Sequence, residues 1–194
     1  AGDREDAISV CLTAAYMSIP VAHFFGGDIA KDGNIDNSVR YASSKFAHIH
    51  FPTITEHADT LERLGEDSWR IHVIGNPALD RLLSTEEMTK ADLFSSMGGG
   101  ICENTKFGVV IQHPIISEID LQGKQMRTTM EALIGTELIY FVNCPNSDAG
   151  NTEIRQVIDY YGSEYPDKFY TFKNLNRVIY INLLRHCSVM VGNS

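Results

Sequence analysis

The chain has 194 residues, enough to bury a sizeable core as one large or two small domains, in the proportions of an ordinary globular protein. A formal net charge of −9 supplies no field that would attract nucleic acid or an anionic membrane, so any bound phosphate has to be held by local groups. No apolar run approaches the roughly 20 residues of a membrane span, nothing resembles a secretory signal, and cysteines 11, 102, 144 and 187 follow no zinc or redox spacing, which favours reduced thiols in the cytoplasm.

Along the chain, acidic residues Glu5 and Asp6 precede the run Ala7–Met17, whose apolar positions recur at helical spacing, and predict a helix there. Val21–Phe25 reads as a strand entering a glycine-rich turn, Ser38–Ala47 as a helix, and His48–Phe51 as a short alternating strand. Thr55–Leu64 is a helix capped by Thr53 or Thr55 and closed by Gly65, and Ile71–Ile74 is a further strand. The stretch from Ser84 to Asn104 carries a helix near Glu86–Phe94 and a flexible connection through Gly98-Gly99-Gly100, which places a domain junction near residue 83.

A second series follows, with strands at Phe107–Gln112, Leu138–Val142, Phe169–Phe172 and Ser188–Val191 and helices at Gln122–Ile134, Asn151–Tyr161 and Asn176–Arg185. Alternation of strand and helix implies an α/β fold with parallel sheets, and ligands of such sheets bind at strand C-termini. The first helix lacks the strand that normally precedes it, and the last strand runs into Gly192-Asn193-Ser194 with no helix after it. The sequence therefore reads as the middle portion of a longer protein, inactive in isolation.

Candidate chemistry gathers at a few places. Gly26 and Gly27 let backbone N–H groups approach a ligand, while Asp28, Asp36 and Arg40 around that turn are able to move protons or bind phosphate; an ordinary exposed turn fits the same residues. Asp36 and Arg40 share a helix face at i, i+4 and so fit a simple ion pair as well. His113 ends the strand Val109-Val110-Ile111-Gln112, and Pro114 restricts it to an extended conformation. Of the other histidines, His48 and His50 flank a strand, His57 and His72 read as surface or packing residues, and His23 merits attention for its place beside the glycine turn. No His, Cys and Glu cluster has ligand spacing, so neither a metal nor another cofactor is expected.

Nine short motifs then occur in one order: Gly2-Asp3-Arg4-Glu5-Asp6-Ala7, Ile19-Pro20-Val21-Ala22-His23, Gly26-Gly27-Asp28, Ile35-Asp36-Asn37-Ser38-Val39-Arg40, Ser44–Phe51, Gly75–Asp80, Gln112-His113-Pro114, Pro145–Gly150 and Val191–Ser194. Across nearly its whole length the chain resembles the hydrolysing UDP-N-acetylglucosamine 2-epimerases of sialic acid biosynthesis. That resemblance implies two Rossmann-like halves in the GT-B arrangement, with residues 1–83 from the first and 84–194 from the second, nucleotide-binding half. It also implies a homo-oligomer that eliminates UDP from UDP-N-acetylglucosamine and hydrates the resulting acetamido-glycal to N-acetylmannosamine.

Carried over position by position, the resemblance implies Asp3, Asp36 and His113 as the acid, base and proton-relaying groups. It implies Arg4, Gly26, Gly27, Asp28, Arg40, Asn146, Leu175, Tyr180, Asn193 and Ser194 as substrate contacts, with Leu175 and Tyr180 at the uracil and Asn193 and Ser194 at the diphosphate. Asp3, Asp36 and His113 are expected to converge on one cleft. Three departures stand out: Phe25 where several relatives have Glu, Asn37 where a second Asp is usual, and Tyr41 where a His commonly follows the Arg. They leave open a UDP-2,4-diacetamido-trideoxyhexose as the substrate, a non-catalytic nucleotide-sugar-binding protein and, more weakly, a GT-B glycosyltransferase.

Overall fold

The computed structural model describes residues 5–30 and 35–193. Contacts divide the chain into two compact units, residues 1–83 and 84–194. Among the described residues every strand pairing is parallel, as strand and helix alternation requires.

In the first unit, helix α1 (Glu5–Tyr16) leads to strand β1 (Ala22–Phe24), followed by α2 (Asp36–Phe46), β2 (Ile49–Phe51), α3 (Thr55–Arg63), a 3-10 turn at Ser68–Arg70 and α4 (Pro77–Leu83). β1 and β2 pair in the register Ala22 to Ile49, His23 to His50 and Phe24 to Phe51. The strand expected over Ile71–Ile74 reduces to a single bridge between Ile71 and His50. His72 and Ile74 donate to the carbonyls of His50 and Pro52, but Val73 and Ile74 are about half exposed and bury too little to extend the ladder. Helix α4 is absent from the sequence expectation, although its signal is present: Pro77 suits the first helical position, and the Asn76 Oδ1 accepts from the Ala78 N–H at 2.9 Å.

A cluster of polar side chains ties the elements of this unit together. Glu66, buried just past α3, accepts from Lys45 of α2 at 2.7 Å, His50 of β2 at 3.1 Å and Arg70 of the 3-10 turn at 2.5 Å. Lys45 also donates to the Leu64 carbonyl, and Arg70 to that of Ala47. Burial pushes the Glu66 carboxyl up, yet the Lys45 hydrogen bond and the charges of His50, Lys45 and Arg70 together hold it below the ordinary value of 4.5. Burial lowers the His50 imidazole below 6.5 against the pull of Glu66, so at neutral pH a neutral ring donates through Nε2.

The second unit contains α5 (Lys90–Ser96), β3 (Phe107–Ile111), a 3-10 segment at Ile116–Leu121, α6 (Gln122–Ile134), β4 (Ile139–Asn143), α7 (Asn151–Glu164), β5 (Phe169–Phe172), α8 (Arg177–His186) and β6 (Val189–Gly192). The sheet order is β5-β4-β3-β6, so the chain moves outward from β3 to β5 and then returns to the other side of β3. Alternate residues of each strand feed opposite faces. Val110, Tyr140 and Val142 pack on Met126, Met130, Ile154 and Ile158 of α6 and α7, while Phe107, Val109, Ile111 and Phe141 pack on Leu93, Phe94 and Leu183 of α5 and α8. Gly108 has no side chain because a Cβ there would lie 2.6 Å from the Tyr140 ring.

The helix expected from Glu86 begins only at Lys90, where Thr89 Oγ1 caps the Asp92 N–H. Residues before it are drawn out along α8: buried Asn182 bonds the Glu86 carbonyl and the Met88 N–H, and Arg185 the Thr85 carbonyl. All four cysteines are free, with Cys11 and Cys144 buried and Cys102 exposed. Burial raises the thiols of Cys11, Cys144 and Cys187.

Replacing Glu66 by Ala is expected to cost about 3 kcal/mol at pH 7, the lower end for breaking a buried pair because Lys45 is half exposed. Both folded-state values lie below those of the unfolded chain, so stability declines on acidification from about 6.5 through His50 and from about 4.5 through Glu66. Urea denaturation across this range checks the expectation: the gap between wild type and Glu66→Ala narrows as pH falls below 4.5.

Candidate functional site

Each unit carries one cluster of the residues singled out by sequence; Asp3, Arg4 and Ser194 lie outside the described residues. In the first unit the cluster is the turn after β1. Phe25 has a positive φ of 64°, a left-handed backbone that costs a bulky residue of the order of 1–3 kcal/mol, and its N–H bonds the Phe51 carbonyl at 3.1 Å. Gly27, at φ 81°, packs so closely on α3 that a Cβ would lie 2.0 Å from the His57 carbonyl oxygen. Glycine is demanded here by both the dihedral and the space.

The buried Arg40 guanidinium, 5% exposed, donates from Nη1 to the Asp28 carbonyl at 2.9 Å and so supports the turn's backbone. The Asp28 carboxylate is half exposed; its Oδ1 accepts from the Ile29 N–H at 2.8 Å and lies 3.2 Å from His57 Nε2. Asp36 is the first residue of α2, two positions ahead of the expected start, and places a carboxylate at the positive end of the helix. Asn37 exchanges two hydrogen bonds with Ala30: its Nδ2 donates to the carbonyl at 2.7 Å and its Oδ1 accepts from the N–H at 2.8 Å. An aspartate there would lose the donor to the Ala30 carbonyl.

In the second unit the cluster lies at the C-terminal ends of β3, β4 and β6. β3 is the strand from which the chain leaves in both directions, and the crevice beside such a strand is where α/β sheets bind ligands. His113, just past β3, is clasped by Asn193, just past β6: its N–H donates to Asn193 Oδ1 and its carbonyl accepts from Nδ2, both at 2.9 Å. The Asn193 amide is therefore committed at both ends to the His113 backbone. Gly192 permits the approach, since its φ is 144° and a Cβ would lie 1.7 Å from the Ile111 carbonyl oxygen.

His113 Nδ1 accepts from the Asn146 N–H at 3.2 Å, which assigns the proton of the neutral imidazole to Nε2. The Asn146 side chain turns back to Asp148, donating to Oδ2 at 2.6 Å and accepting from its N–H at 3.2 Å. Leu175 and Tyr180 come together in a cleft of about 330 Å³ with Asn143, Phe172, Lys173, Asn174 and Arg177. The cations Lys173 and Arg177 escaped sequence reading because nothing in their local pattern distinguishes them from solvated surface. Among the described residues no group of three or more His, Cys, Asp or Glu side chains is arranged to hold a metal, and no helix is long and apolar enough to cross a membrane.

The sequence profile of the UDP-N-acetylglucosamine 2-epimerases matches residues 1–194. The chain belongs to this family. It is 34% identical over 193 residues to the hydrolysing UDP-N,N′-diacetylbacillosamine 2-epimerase of Legionella pneumophila and 31% identical over 195 residues to the UDP-N-acetylglucosamine 2-epimerase of Neisseria meningitidis serogroup B. All of the chain is covered in both matches, against 50% and 49% of the relatives, so it spans about half their length. The fold is shared with the Neisseria meningitidis 2-epimerase solved with UDP-N-acetylglucosamine, at a TM-score of 0.80 and 15% identity over all of this chain and 53% of that one. It is shared equally with the S. aureus MnaA structure containing UDP, at a TM-score of 0.78 and 18% identity over all of this chain and 50% of that one.

Removing the Asn193 amide breaks both bonds to the His113 backbone. Asn193→Ala is expected to speed hydrogen exchange at the His113 amide about tenfold or more, on the scale of one to two hydrogen bonds of about 1 kcal/mol each, as read by amide-resolved NMR. Asn193→Asp keeps the acceptor and loses the donor, and should fall between the two.

Proposed function

We propose that the protein is a hydrolysing 2-epimerase of UDP-linked 2-acetamido sugars, releasing UDP and the free 2-epimer. Family membership over all 194 residues supports this, and the observation that carries it is the neutral-ring assignment at His113. With Nδ1 accepting from Asn146, the ring presents an N–H donor at Nε2, the form suited to the oxygen of a departing diphosphate.

In the first step a carboxylate, Asp36 or Asp28, takes the weakly acidic proton from carbon 2. The bond from carbon 1 to the diphosphate oxygen breaks, UDP leaves with a hydrogen bond from His113 Nε2, and an acetamido-glycal forms. Water then adds its oxygen to carbon 1, and a proton returns to carbon 2 from the opposite face. Asp3 enters this scheme only through the family motif, since it lies outside the described residues. Leu175 and Tyr180 suit the uracil, the neighbouring Lys173 and Arg177 add positive charge for its phosphates, and Arg40 and Asn193 act by fixing backbone. On this reading residues 1–83 belong to the domain that handles the sugar and 84–194 to the nucleotide-binding domain of a cytoplasmic homo-oligomer.

Two sugars fit the relatives. UDP-N-acetylglucosamine yields N-acetylmannosamine, the precursor expected of sialic acid biosynthesis. UDP-N,N′-diacetylbacillosamine is favoured by the 34% identical Legionella pneumophila enzyme and by a 27% identical Campylobacter jejuni enzyme named for its GDP- or UDP-linked form.

Incubation of the full-length protein with each nucleotide sugar, following UDP and the free sugar, tests the proposal, and the ratio of kcat/KM values assigns the substrate. His113→Ala and Asp36→Asn are each expected to lower kcat by at least about 100-fold with smaller changes in UDP affinity. UDP binding without either product from the wild type would instead favour a nucleotide-sugar-binding protein, the reading that Phe25 and Tyr41 keep open.

A further inference from the structure

His57 reads from sequence as a surface or packing residue, yet from α3 it packs against the glycine turn. Its Nε2 lies 3.2 Å from Asp28 Oδ1 and its Nδ1 lies 2.8 Å from Thr53 Oγ1. Thr53 caps no helix: α3 follows Ile54, without a side-chain cap, and the Thr53 hydroxyl is given to His57. An ionised Asp28 accepts a hydrogen bond from Nε2–H, which leaves Nδ1 of a neutral ring to accept from the Thr53 hydroxyl. Both ring nitrogens of His57 are then satisfied with one set of protons.

The backbone around this chain is fixed independently of it. Gly27 abuts the His57 carbonyl rather than its ring, Arg40 Nη1 holds the Asp28 carbonyl, and Phe25 keeps a left-handed backbone tied to Phe51. Strain of this kind persists only where the surroundings over-determine it, and it points to a turn built to present something. What the turn presents is the half-exposed Asp28 carboxylate. Both its bonds among the described residues fall on Oδ1, from Ile29 N–H and His57, so a proton is taken up on Oδ2. Phe25, in contrast, has no group that moves a proton.

Resting on the 2-epimerase reading, we propose that Asp28 is a catalytic acid/base carboxylate and that His57, held by Thr53, is its positioning residue. His57 Nε2–H fixes the carboxylate orientation, and no net proton leaves the ring during turnover. The arrangement follows the logic of an acid/base group oriented by a second, hydrogen-bonded side chain.

The experiment compares the full-length wild type with Asp28→Asn, His57→Phe, His57→Gln and Thr53→Val on both nucleotide sugars. Folding is monitored by circular dichroism and UDP affinity by calorimetry. Asp28→Asn should lower kcat at least about 100-fold. His57→Phe, which keeps the ring volume and Gly27's backbone contact, should lower kcat about 10- to 100-fold with KM within about twofold, the range for losing a hydrogen bond to a charged group. Glutamine places an N–H near the position of Nε2, so His57→Gln should recover most of that loss, while Thr53→Val should show a smaller fall in kcat. A His57→Phe enzyme with wild-type kcat, or a glutamine variant no better than phenylalanine, overturns the proposal.

If the wild type turns over neither sugar, the 2-epimerase reading fails by itself, and the hydrogen-bonded chain is judged by imidazole 15N spectra. A His57 ring in the Nε2–H form, lost or mixed in Asp28→Asn, upholds the pairing; an Nδ1–H ring in the wild type overturns it.

Discussion

Parallel pairing of β3 with neighbours on both sides is the constraint on which the second unit depends. Because β4 and β6 run in the same direction as β3, every connection is a crossover, and α6 and α7 are consigned to one face while α8 goes to the other. The central strands β3 and β4 are buried from both sides, which is why Val109, Val110, Phe141 and Val142 form continuous apolar runs instead of alternating with polar residues. The same topology brings the residues after β3, β4 and β6 to one edge, and His113, Asn146 and Asn193 meet there although they are distant in sequence.

Much of the polar chemistry in both units is directed at backbone. Arg40 holds a carbonyl of the glycine turn, Asn37 clasps Ala30, Asn193 clasps His113, and Asn182 draws residues 86 and 88 onto α8. A buried donor or acceptor without a partner costs more than a formed bond gains, so side chains with two-ended amides or forked guanidinium groups suit places where irregular backbone must be fixed. Motif positions of an enzyme family are thus of two physical kinds: groups that face a ligand, and groups that hold the loop bearing them. Asn193 and Asn37 are of the second kind.

The legible part of the site was the part carried by motifs with strand or helix context. Pro114 and the preceding apolar strand placed His113 at a strand end, and the Pro145–Gly150 loop placed Asn146 at the next one. Leu175 and Tyr180, expected to serve one base, do line one cleft. His57 and Thr53 escaped because their partner, Asp28, lies in a different element and no local spacing links them. Lys173 and Arg177 escaped for a similar reason, since a cation gains meaning only from the concavity it lines. The glycines were informative in a limited way: Gly27 and Gly192 marked close approaches, but which carbonyl each approaches was written only in the packing.

Hydrophobic period and turn residues in the chain determined that strands and helices alternate and that the sheets are parallel, and the order of its motifs carried the resemblance to the UDP-N-acetylglucosamine 2-epimerases that the family profile shows. Those are properties of neighbouring residues, and local sequence encodes them. Strand order, the clasp of Asn193 on His113, the imidazole tautomer set by Asn146 and the pairing of Asp28 with His57 were decided by tertiary structure alone. Each depends on a hydrogen bond of about 3 Å between segments far apart in the chain, a distance that no one-dimensional pattern specifies.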